Sequence, residues 1–199
     1  MESDKTRYHR FSTMCQFAEY MVRVGYPAYI PSSTEAGKRH KSFVPYIFTH
    51  DEIQRFFKAV DAMQPTRRTS APRRHLVMPV LCRVLYCCGL RVSEATALKG
   101  NDVELNSGIL TIRDSKFGKS RYVPMSDELT AFCSRYAETR LVGVPDDWFL
   151  PARDGGYYAS RSVYKAFRDL LWSAGISHGG RGKGPRVHDL RHTFAVHCL

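Results

Sequence analysis

The stretch that most constrains the fold is the last one, Arg186 to Leu199, in which Val187, Leu190, Phe194 and Cys198 recur at helical spacing. On a helix these four form one apolar stripe that faces a core. His188 and Arg191 then share another face, about one turn apart, near a helix N-terminus whose free amides favour an anion. An imidazole and a guanidinium aimed at one object in that setting point most simply to a phosphate. An isolated H-x-x-R is a weak signal, because a basic helix can carry the same pair on its wet side.

The charge balance agrees with a phosphate partner. Against 19 Asp and Glu stand 30 Lys and Arg, a net charge of +11, clustered at Lys38-Arg39-His40-Lys41, Arg67-Arg68, Arg73-Arg74 and from Arg181 to Arg191. Clusters of one sign suit a polyanion, and nucleic acid fits better than a membrane surface because no amphipathic basic helix dominates. With 199 residues, 43% of them hydrophobic, the chain can hold one domain and a short appendage. Its most apolar run, Leu76 to Leu90, is interrupted by Pro79 and Arg83 and is too short to cross a bilayer, so it reads as a buried helix. The N-terminus has no signal pattern, which predicts a cytoplasmic protein. Cys15, Cys82, Cys87, Cys88, Cys133 and Cys198 form no C-x-x-C pair and mostly occupy apolar helical positions, so reduced core thiols are expected.

Taken in order, Arg7 to Gly25 reads as a helix with Phe11, Met14, Cys15, Ala18 and Met21 or Val22 along one side. Tyr26 to Pro45, rich in Pro and basic residues, reads as a linker. Thr49-His50-Asp51-Glu52 is a capping-box pattern opening a helix to about Met63. His75 to Cys88 is the next helix, closed by Gly89 in a left-handed cap, and Ser93 is expected to cap another. Arg91 falls between the two, where backbone amides point outward. Ile109 to Arg113 and Arg121 to Met125 alternate as strands of a hairpin with Lys116 near its tip. Ser126 is expected to cap a helix and Ser160 to open another that Gly175 closes, and Gly179 to Pro185 is a flexible basic loop suited to phosphate contacts. The resulting class is mainly α with a small antiparallel β-hairpin or sheet.

Three stretches together carry a resemblance. Gly89-Leu90-Arg91-Val92-Ser93-Glu94-Ala95-Thr96-Ala97-Leu98 and His188-Asp189-Leu190-Arg191-His192-Thr193-Phe194-Ala195 closely resemble the two arginine boxes of the tyrosine recombinases, the phage-integrase family, in that family's order. Between them, Ser115 to Pro124 is similar to its lysine-bearing hairpin. The resemblance implies residues 1–30 as the remnant of a helical core-binding domain, 31–48 as linker, and 49–199 as an incomplete catalytic domain. It implies breaking and rejoining of double-stranded DNA through a 3′-phosphotyrosyl bond, with self-association on DNA and neither metal nor other cofactor. Arg91 and Arg191 would clamp the scissile phosphate, His188 would exchange protons there, Lys116 would protonate the departing 5′ oxygen, and Glu94 would orient the arginines. Lys119, Arg121, Arg181, Lys183, Arg186 and His192 are the expected DNA contacts.

The sequence departs from the family in one respect. The nucleophilic Tyr should lie several turns past the second box, yet only eight residues follow Arg191 and none is Tyr. Tyr122, Tyr136, Tyr157, Tyr158 and Tyr164 all precede it. The expectation is a fragment truncated at both ends and inactive by itself. Two other readings stay open: a DNA-binding module without chemistry, and a type IB topoisomerase-like domain. A helix-turn-helix over Val80 to Leu98 leaves His188 and Arg191 unexplained.

Overall fold

The computed structural model describes residues 4–32, 35, 44–65, 73–113, 119–140, 148–152, 155–180 and 183–199. The chain divides into two units, Met1–Val44 and Pro45–Leu199. The first holds helix α1 (Asp4–Arg23), where Ala18 is buried and Phe11, Cys15 and Met21 half-buried, but Met14 is 65% exposed. Cys15 Sγ donates to the carbonyl of Pro31, tying the segment after the helix back to it.

The second unit is helical around a small sheet. Its helices are α2 (His50–Asp61), α3 (Arg74–Cys87), α4 (Val92–Thr96), α5 (Asp127–Arg140), α6 (Ser160–Ser173) and α7 (Asp189–His197). The sheet joins β1 (Val103–Glu104), β2 (Ile109–Ile112) and β3 (Arg121–Pro124) in sequential antiparallel order, with Leu110 opposite Val123 and Ile112 opposite Arg121.

The capping box at Thr49 is present in full. Its hydroxyl accepts from Glu52 N at 3.2 Å while Glu52 Oε2 accepts from Thr49 N at 2.9 Å, so two orphan amides of the first turn are satisfied. Ile53, Phe56 and Val60 turn the apolar face of α2 inward. Helix α3 is the pillar of the unit, with Val77 to Cys82, Val84 and Leu85 buried and α2, α4, α5 and α7 packed about it. It runs through Pro79 at the loss of one backbone bond.

Helix α7 is held to this pillar by the first half of its stripe. Val187 and Leu190 are fully covered, contributing on the order of 3–6 kcal/mol together, whereas Phe194 is half-buried and Cys198 exposed. The second half of the expected stripe is replaced by a polar residue. Thr193 is fully buried, and its hydroxyl accepts from the backbone N–H of Phe48 at 3.0 Å, so α7 is pinned to the segment entering α2. Cysteine usage divides in the same way. Cys82, Cys88 and Cys133 are core thiols that burial pushes up to about 12, while Cys87 and Cys198 lie at the surface.

One helix start differs from the sequence reading. Arg91, not Ser93, occupies the N-cap of α4, whereas α6 opens at Ser160 as expected. At α4 the reason is Glu94, whose carboxylate takes the Arg91 N–H and leaves no task for a serine hydroxyl. Ser126 does cap, its Oγ accepting from Leu129 N at 3.3 Å.

Candidate phosphate-binding site

The site forms where the end of α3, the start of α4, strand β3 and helix α7 meet. Gly89 makes the meeting possible. Its φ of +57° is the left-handed conformation that ends α3, and a Cβ there would come within 2.5 Å of the Phe194 ring. The same turn presents the Gly89 carbonyl to Arg191 Nη1 at 2.5 Å, so the first box receives the arginine of the second.

Glu94 is the hub. Its side chain is only 5% exposed, and it accepts from Arg91 N at 2.9 Å, Arg91 Nη1 at 2.7 Å, Arg121 Nη1 at 3.1 Å and Arg121 Nη2 at 2.9 Å. Arg191 Nη1 stands 3.9 Å from Glu94 Oε2. Each of the three arginine side chains keeps about a third of its surface in solvent, at 36%, 37% and 33% for Arg91, Arg121 and Arg191. Three cations over one buried anion leave an outward surface with two uncompensated positive charges.

The titration behaviour follows from this geometry. Burial acts to raise the Glu94 pKa, but the side-chain bonds of Arg121 and the backbone and side-chain bonds of Arg91 outweigh it and hold the carboxyl at about 2. Glu94 in return raises Arg121, while burial, then Arg91, lowers Arg191. His188 stands at the N-cap of α7, its ring 5.3 Å from that of His192 in an edge-on arrangement. Partial burial first, then the charges of His192, Arg191 and Arg91, depress the His188 pKa, with Asp189 opposing. At neutral pH the imidazole is therefore neutral and can accept a proton. Asp189 is itself buried and closes the entry to α7 by accepting from Arg186 N at 2.7 Å.

The structure thus gathers Arg91, Glu94, Arg191 and, electrostatically, His188 and His192. Arg121, read from the sequence as a DNA contact, turns its guanidinium onto Glu94. Alternation along β3 was the available signal, since Arg121 and Val123 share the half-buried face while Tyr122 and Pro124 are exposed. Lys119, Lys183 and Arg186 are exposed, and Lys116 and Arg181 lie outside the described residues. Helix α4 has only five residues, with Val92, Glu94, Ala95 and Thr96 buried, so it offers no recognition helix for the helix-turn-helix reading. Among the described residues no group of three or more His, Cys, Asp or Glu side chains could hold a metal ion, and no helix is long and apolar enough to cross a membrane.

The phage integrase family model matches residues 47–199, which takes in both arginine boxes and the hairpin between them. The chain belongs to that family. Family members named as tyrosine recombinases are among its relatives: XerD of Caulobacter vibrioides is 27% identical over 203 residues, covering 99% of this chain and 63% of that protein. A Sinorhizobium fredii protein carrying the name integrase/recombinase y4rB is 32% identical over 187 residues, covering 92% of this chain and 59% of that protein. The chain thus spans about 60% of the length of these relatives. Among solved structures, the Tn1549 transposon integrase in complex with transposon right end DNA superposes with a TM-score of 0.70 at 15% identity, over 98% of this chain and 67% of that one. The fold is that of a tyrosine recombinase catalytic domain.

Proposed function

We propose that this chain carries the phosphate-gripping part of a site-specific DNA recombinase, an enzyme that breaks and rejoins double-stranded DNA. The observation that carries the reading is the convergence of Arg91 and Arg191, far apart in sequence, beside one buried carboxylate with their outer surfaces uncompensated. A phosphodiester presents two anionic oxygens in a geometry that guanidinium forks match and an ammonium does not. Arg91 and Arg191 hold those oxygens and stabilise the charge that grows on them as a tyrosine oxygen attacks phosphorus. The P–O5′ bond breaks, and Lys116 gives the departing oxygen its proton. His188, neutral in the free site, shuttles a proton at the same phosphate. The 3′-phosphotyrosyl bond keeps the energy of the ester, so rejoining needs neither nucleotide nor metal. Lys119, Lys183 and Arg186 lie along the exposed basic surface and meet flanking phosphates.

The part of this reading that the 199 residues can be asked to perform is the grip on DNA. DNA binding through phosphates weakens steeply as salt rises. The test is fluorescence anisotropy of a labelled duplex with the unaltered chain and with R91A/R191A. The double variant is expected to lose about tenfold or more in affinity. Equal affinity for both proteins would refute the reading, and a covalent protein–DNA adduct formed by the unaltered chain would place the nucleophile among its internal tyrosines.

A further inference from the structure

We propose that Arg121 is a positioning residue of this site, which fills the acceptor positions of Glu94 and so leaves Arg191 free to face an anion; the proposal rests on the phosphate reading above. An ionised carboxylate offers about four lone-pair positions on its two oxygens. Four donors occupy them here: on Oε1, Arg91 Nη1 at 2.7 Å and Arg121 Nη1 at 3.1 Å; on Oε2, Arg91 N at 2.9 Å and Arg121 Nη2 at 2.9 Å. Arg191 Nη1 comes no closer than 3.9 Å and spends its bond on the Gly89 carbonyl instead. That separation is too long for a hydrogen bond, yet short enough that a small side-chain rotation would close it.

Arg191 is therefore held off the carboxylate by saturation. Half of the saturating bonds come from Arg121, and they come from a different element, the strand that leaves the lysine hairpin. Without them two positions on a buried anion fall open beside an arginine whose present partner is a neutral carbonyl. A buried carboxylate adds the attraction of a full opposite charge to what the carbonyl dipole offers, so Arg191 turns inward and its outward face is lost. Arg121 fits this assignment because both of its terminal nitrogens donate to Glu94. Lysine substitutes only in part, since a single ammonium does not span both carboxylate oxygens.

The experiment follows the arginine side-chain Nε–Hε signals of the 199-residue chain by NMR, first free and then titrated with inorganic phosphate. In Arg121→Gln the Arg191 signal is expected to move before any phosphate is added, and phosphate affinity to fall by about tenfold. Arg121→Lys should lie between, and it carries the same test if the glutamine variant does not fold. Adding Glu94→Gln to Arg121→Gln removes the charge that draws Arg191 inward, so the double variant should bind phosphate several-fold more tightly than Arg121→Gln alone. An Arg191 signal unmoved by either substitution at position 121 would overturn the proposal. So would a double variant no tighter than the single one, which would make Arg121 itself an anion ligand or a mere prop. If the unaltered chain ignores phosphate, the phosphate reading fails, while the free-state Arg191 signal still decides the role of Arg121.

Discussion

Asp61 and Glu94 each accept both prongs of an arginine, and the two sites differ in how many cations share the carboxylate. Arg83 bonds Asp61 at 2.8 and 2.7 Å, donates to the Pro79 carbonyl, and lies with its guanidinium 4.1 Å from the Phe132 ring and 5.0 Å from that of Phe57. One charge meets one charge, the arginine is covered by aromatic faces, and nothing is left over for a ligand. At Glu94 the carboxylate is buried and the arginines are in excess, so the imbalance faces outward. Ion-pair geometry alone does not mark a binding site. On the proposed reading, the residual charge after pairing does.

The largest test of that contrast is removal of each carboxylate. Glu94→Ala leaves three cations crowded without their anion and should destabilise the fold by about 3–5 kcal/mol in urea denaturation. Asp61→Ala, whose side chain is half-exposed, should cost no more than about 1 kcal/mol. Comparable losses at the two positions would erase the distinction.

Acid comes next. Because the folded Glu94 carboxyl is depressed to about 2 from an ordinary value of 4.5, its contribution is present above the unfolded value and lost as pH falls through the folded one. Stability should therefore drop by roughly 3 kcal/mol between about pH 5 and pH 2 beyond what Glu94→Gln shows. Parallel pH curves for the two proteins would contradict the pairing described.

The third test separates binding from stability. Arg191→Ala should weaken duplex binding by about 1–3 kcal/mol, whereas Arg83→Ala should lower the melting temperature and leave DNA affinity where it was. The smallest effect concerns His188. Its pKa is depressed in the free site, so protonation is favoured once an anion is bound, and DNA affinity should rise a few-fold as pH falls from about 8 to 5.5. His188→Ala should flatten that part of the profile.

Much of this arrangement was legible before any coordinates. Capping chemistry is local, so Thr49 with Glu52 and the left-handed Gly89 could be read from a few residues. The two boxes and the hairpin pointed to the family, and with it to Arg91, Glu94, His188 and Arg191. Long-range partners were not legible. Nothing local tells Arg121 to turn to a glutamate on another element, or Thr193 to enter the core for the amide of Phe48. Strand β1 escaped because two residues carry no periodicity, and Cys198 was assigned to a core that ends one turn earlier.

The bond from Arg191 to the Gly89 carbonyl spans 102 residues, and that from Phe48 to Thr193 spans 145. On a ribosome adding roughly 5–20 residues per second, the first of these intervals lasts about 5–20 s. Through that time Glu94 can already be dressed by Arg91 and Arg121, but the surface of α3 that α7 will cover is bare. On the proposed reading the pair of arginines is complete only once α7 has docked, so the step that seals the hydrophobic core would also be the one that arms the site.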